Sequence, residues 1–100
     1  MTHNVFFWLK PDLSPGDVAA FEAAALKLPT IDVVQSGSVG KQAPTPERPV
    51  TEKTWDYHLE LKFASIEDHN TYQAHLEHDV FVDQCKDLWS KVSVNDSEAI

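Results

Sequence analysis

The spacing of apolar positions changes character several times along the chain, and each change predicts an element. His3 to Leu9 is dense in β-branched and aromatic residues, Val5, Phe6, Phe7 and Trp8, and stops at Pro11. That pattern predicts a strand. Alternation puts His3, Val5, Phe7 and Leu9 on one face and Asn4, Phe6, Trp8 and Lys10 on the other. Both faces carry bulky apolar groups, so both are expected to be covered. Ser14-Pro15-Gly16-Asp17 has the chemistry of a helix start: a hydroxyl cap, a proline at the first turn and an acid facing the positive end of the helix. Val18, Phe21, Ala25 and Leu28 follow at helical spacing, and Pro29 stops the run.

Ile31 to Val39 predicts a second, shorter strand bounded by Gly37 and Gly40. Lys41 to Lys53, with Pro44, Pro46 and Pro49, predicts a long loop serving as slack or as a dimer contact. Thr54 to Phe63 alternates most regularly, with Trp55, Tyr57, Leu59, Leu61 and Phe63 facing the core and His58 on the solvated side. Ser65 caps a helix running to about His75, with Asp68 in the capping-box position. Val80 to Trp89 carries a second apolar helical stripe that includes Cys85. Lys91 to Val94 predicts a short last strand, and Asn95 to Ile100 a polar tail.

The resulting order is β-α-β-β-α-β with the second helix broken. It predicts a single α+β domain over residues 1–100, with a ferredoxin-like antiparallel sheet and helices on one face. A single sheet leaves its other face bare, with Phe6 and Trp8 on it. Covering that patch with a second copy predicts a homodimer through the open sheet face.

Composition narrows the function classes. A formal net charge of −8, with no clustered basic residues, argues against nucleic-acid and anionic-membrane partners. The chain shows no signal-like start and no membrane-length apolar run, and its one cysteine fits a reducing compartment, so a cytoplasmic protein is expected. Cys85 is read as a small buried hydrophobe.

Three segments resemble the stress-responsive A/B-barrel (Dabb) family: the opening His3-Asn4-Val5-Phe6-Phe7-Trp8-Leu9-Lys10-Pro11, the central Trp55-Asp56-Tyr57-His58-Leu59, and Tyr72-Gln73-Ala74-His75-Leu76-Glu77-His78-Asp79-Val80-Phe81-Val82. The last, Tyr-x-x-His-x-x-His-x-x-Phe-Val, is the most specific. Leu76 stands where the family usually has proline, and a softer helix break is expected there. The resemblance implies ferredoxin-like subunits packed face to face in a dimeric α+β barrel. A plant polyketide-cyclase branch implies that the positions matching His3, Tyr72 and His78 are catalytic. That branch also has a tyrosine on its first helix, where this chain has only Phe21.

On chemical grounds, His3 beneath the helices and His78 at the helix break would form either a pair sharing one proton, one ring as base and the other as acid, with Tyr72 orienting a carbonyl or phenol, or a structural hydrogen bond pinning the helix break to the first strand. Phe7, Phe21, His75 and Phe81 are expected to line the ligand site. His75 and His78 at i, i+3 supply only two converging ligands, so no metal is expected, and no cofactor. His69 is expected to be solvated surface. Two readings stay open: a stress-response or small-ligand-binding module, and a cofactor-free, polyketide-cyclase-like enzyme acting on a small apolar or carbonyl compound through a histidine pair.

Overall fold

The computed structural model describes all 100 residues. β1 (Thr2–Leu9) leads to α1 (Pro15–Ala25) and a 3-10 turn at Leu28–Thr30. β2 (Ser36–Lys41), β3 (Tyr57–Lys62), α2 (Ile66–Gln73), α3 (Leu76–Cys85) and β4 (Trp89–Ser97) follow. The strands form one antiparallel sheet in the order β2-β3-β1-β4. The architecture is the expected ferredoxin-like α+β plan. The caps form as their chemistry requires: the Asp17 and Asp68 N–H groups each donate to a serine hydroxyl, Ser14 and Ser65, at 3.1 Å.

Register decides what faces the helices. His3 pairs with Leu61 on one side and Asp96 on the other, Val5 with Leu59 and Val94, and Phe7 with Tyr57 and Val92. Side chains of paired residues share a face. His3, Val5, Phe7, Leu59 and Leu61 are buried there with Phe21, Leu28, Ile31, Phe63, Tyr72, Phe81 and Cys85. On the opposite face Phe6 stacks on His58 at 4.6 Å between ring centroids and meets Trp55 at 5.2 Å. The Trp8 indole N–H donates to the Thr54 hydroxyl.

Four boundaries differ from the sequence pattern, each for a structural reason. The apolar run from Ile31 is not a strand, because β3 ends at Lys62 and offers β2 no partner before Ser36; Ile31 instead buries beside the 3-10 turn. Alternation in β3 begins only at Tyr57. The Asp56 carboxylate accepts the Leu9 N–H at 2.7 Å, and its own N–H donates to the Phe7 carbonyl. Trp55 therefore lies on the outer face, not in the core. α3 starts at Leu76 and ends at Cys85, releasing Trp89 into β4. Asn95, Asp96 and Ser97 are not a tail; they extend β4 along Asn4, His3 and Thr2.

Candidate active site

The break between α2 and α3 arises from the histidines themselves. His75 is in an extended conformation (φ −71°, ψ 142°), and its ring Nδ1 accepts the Glu77 N–H at 3.1 Å, capping α3. The break is complete, without a proline at Leu76. His78 follows in the first turn and lines a cavity between sheet and helices.

That cavity has a volume of about 260 Å³ and is walled by His3, Tyr72, Gln73 and His78 among apolar residues that include Val5, Phe7, Leu59, Phe81, Val92 and Val94. Five residues singled out in the sequence converge on it: His3, Phe7, Tyr72, His78 and Phe81. Phe21 does not reach it; it is fully buried behind Phe7 and Phe81, with ring centroids at 5.2 and 6.1 Å. Nor does His75, whose ring is spent on the cap and whose Nε2 lies 3.8 Å from the exposed Asp32.

His3 and His78 do not hydrogen-bond to one another. The His3 Nδ1 lies 2.5 Å from Asp96 Oδ1, and its Nε2 lies 3.4 Å from the Gln73 side-chain nitrogen. A carboxylate accepts only, so Nδ1 carries the proton. In the neutral ring Nε2 then holds the lone pair, with the Gln73 amide as its donor. Burial pushes the His3 imidazolium below its ordinary value, Asp96 opposes this by hydrogen bond and charge, and His69 adds to the lowering. His3 thus pairs with Asp96 in place of the expected partner His78, and its Nε2 is left as the ring's acceptor.

Tyr72 stands between the two histidines, its ring centroid 5.9 Å from His3 and 5.0 Å from His78. Burial pushes its phenol up, keeping it a proton donor. Burial also lowers His78, with Asp79 opposing and His3 and His69 reinforcing the shift. The His78 Nδ1 is buried with no partner in the chain. Such an atom costs about 1–3 kcal/mol when it is left unpaired.

Asp96, Gln73 and His69 escaped the sequence reading. Asp96 continues the period-two alternation of Val92 and Val94, a signal masked by the polarity of the segment. His69 precedes Tyr72 by three residues and so shares its helix face. It is half-buried rather than solvated, with its ring centroid 4.8 Å from that of His3.

The family model for the stress-responsive A/B-barrel domain matches residues 1–99. This chain belongs to the Dabb family. Solved structures share its fold. An Arabidopsis thaliana protein superposes with a TM-score of 0.81 at 21% identity, covering 99% of this chain and 94% of that one. A dimeric ferredoxin-like protein of unknown function from Bacteroides fragilis gives 0.76 at 24% identity, covering 98% and 94%. The hydroxynitrile lyase of Passiflora edulis gives 0.76 at 18% identity, covering 99% and 94%. At these identities the likeness establishes the fold alone. No curated protein matches the chain significantly. No helix is long and apolar enough to cross a membrane.

Proposed function

We propose that this Dabb domain is a homodimer that binds a small, largely apolar carbonyl compound and moves a proton on it without a cofactor. The observation that carries this reading is the cavity of about 260 Å³ that His3, Tyr72 and His78 all reach. Its volume is just below the range of drug-sized ligand sites, which suits a small metabolite, and its few polar groups sit among apolar walls.

Each group has a role that follows from its surroundings. His3 Nε2, its tautomer set by Asp96, takes a proton from carbon next to a carbonyl. Tyr72 and His78 face it from the helix side as donors to the oxygen on which charge develops. The reaction class is enolisation, or carbon–carbon bond closure or cleavage beside a carbonyl. The lyase among the structural relatives is compatible with such chemistry; the polyketide-cyclase reading is a narrower case of it. The half-buried aromatic group of Phe6, Trp8, Trp55 and His58 supports pairing of two copies through the outer sheet face. The single buried thiol, Cys85, suits a cytoplasmic setting.

The test is hydrogen–deuterium exchange next to the carbonyl of small ketones and aromatic 1,3-diketones, followed by NMR together with the Tyr72 and His78 resonances. Wild-type protein is expected to accelerate exchange of at least one probe and to shift those resonances. His3→Gln and Asp96→Asn should reduce the acceleration by about 10²–10⁴-fold, the usual worth of a positioned base. Binding without exchange would leave a ligand-binding module and remove the enzyme. If no probe perturbs either residue, the carbonyl ligand falls with it.

A further inference from the structure

Beside the cavity, three side chains from three elements meet in an arrangement that proton transfer does not require. His3 on β1, His69 on α2 and Asp96 on β4 each offer a ligand atom within 4.8 Å of the others. The His3–Asp96 side follows from strand register. His69 is brought in by the helix, its ring centroid 4.8 Å from that of His3. One His69 nitrogen, Nδ1, lies 3.1 Å from the Asn70 side-chain oxygen; the other, Nε2, is buried with no partner in the chain. A second imidazole beside a first is a poor hydrogen-bond solution, since the pair brings two like charges together when protonated.

We propose that His3, His69 and Asp96 form a binding site for a divalent first-row transition metal ion of the zinc, cobalt or nickel kind. Two imidazoles and one carboxylate match the preferences of these ions and not those of magnesium or calcium, which take oxygen sets. Ligand bonds of about 2.0–2.2 Å call for donor atoms roughly 3.4 Å apart in a tetrahedral set. His3 Nδ1 and Asp96 Oδ1, now 2.5 Å apart, would open by roughly 0.9 Å and His69 would close in by up to roughly 1.4 Å from the present 4.8 Å limit to reach that spacing, both by side-chain rotation. Asp96 is 41% exposed at the end of β4, which provides an entry route from solvent. Three protein ligands leave a further position open to water.

Binding has a consequence for the cavity, resting on the proposed function above. A metal held by His3 Nδ1 and Asp96 displaces the proton between them. The neutral, metal-bound ring then carries its proton on Nε2, where it donates and no longer accepts. The metal site and the cavity base are thus mutually exclusive uses of His3, and metal occupancy switches the base off.

The experiment is titration of the folded, metal-stripped dimer with Co²⁺, followed by visible absorption and calorimetry without any cavity ligand. Wild-type protein is expected to bind one ion per chain with tetrahedral or five-coordinate absorption bands. His69→Ala should weaken binding by more than about tenfold, because even outer partners of a metal site are worth that much. His58→Gln, on a histidine of the opposite sheet face, should leave it unchanged. Asp96→Asn is the second variant should His69→Ala fold poorly, and it should weaken binding likewise. Affinity unchanged in His69→Ala or in Asp96→Asn, or no binding at millimolar Co²⁺, overturns the site. Because the readout needs no substrate, it is independent of whether ketone exchange is observed.

Discussion

Gly37 has a role that only the folded chain explains. A Cβ there would sit 2.5 Å from a Leu61 methyl and 2.7 Å from the Glu60 carbonyl oxygen, with Pro29 at 3.3 Å. The Leu61 methyl can rotate away, but the Glu60 backbone cannot. Gly37→Ala should therefore cost about 1–3 kcal/mol by overpacking, read as a lower urea midpoint; an unchanged midpoint would contradict this packing. The two tyrosines offer a second check at this scale. The Tyr57 hydroxyl donates to Glu22 at 2.6 Å, and desolvation, that hydrogen bond and the charges of Glu22 and Asp56 push its phenol up to about 12. Burial pushes Tyr72 up as well. A raised phenol stabilises the fold below the unfolded value of ~10, and that stability is lost as pH rises through the folded value. An ultraviolet titration of folded protein should show neither phenol ionising near 10. A tyrosine that does so would place its hydroxyl in water.

At the scale of elements, the helix break is the feature on which the site depends. His75 caps α3 with its own ring, and the first turn then directs His78 into the cavity wall. Leu76 is the first helical residue and 73% exposed. Its N–H is one of the four that a helix start leaves unpaired. The extended His75 before it has the backbone that precedes a proline. Leu76→Pro should consequently stabilise the protein by about 0.4–1 kcal/mol, by restricting the unfolded chain. Thermal denaturation measures this, and a lowered midpoint would mean that the Leu76 N–H or side chain has a role in the fold. Ile31 and Trp55 show how the same local pattern serves different ends. Both sit in strand-like runs, yet neither belongs to a strand, because pairing needs a partner at matching register.

At the scale of the whole molecule, the outer sheet face and its pH dependence belong together. His58 stacks on Phe6, and its Nε2 lies 2.9 Å from the Asn4 side-chain oxygen. Burial lowers its pKa, with the Glu60 charge opposing. A depressed histidine contributes stability that is present above the unfolded value of ~6.5 and lost as pH falls through the folded value. His3 and His78 contribute with the same sign. Acidification from neutral pH should destabilise the protein, and His58→Gln should flatten part of that slope. An identical slope in the variant would show that His58 titrates freely. Light scattering at micromolar concentration should give a dimer for the wild type and a monomer for Trp8→Glu. A wild-type monomer would remove the proposed sheet-to-sheet pairing.

The sequence by itself determined whatever rests on local chemistry. The serine caps, the strand alternation from Tyr57 to Lys62, the element order and the inward face of β1 were legible because short-range geometry sets them. The motif of Tyr72 and His78 was legible too, since a histidine cap and its first turn lie within seven residues. Tertiary structure decided the rest. Only the β1–β4 register carries Asp96 across ninety-three positions of chain to His3, turning an expected histidine pair into a histidine–carboxylate dyad. Only packing separates Phe7 and Phe81 on the cavity wall from Phe21 behind it, although all three are apolar residues at inward positions. Periodicity reports which way a side chain points. What it meets there depends on strand partners and packed neighbours far away in the sequence.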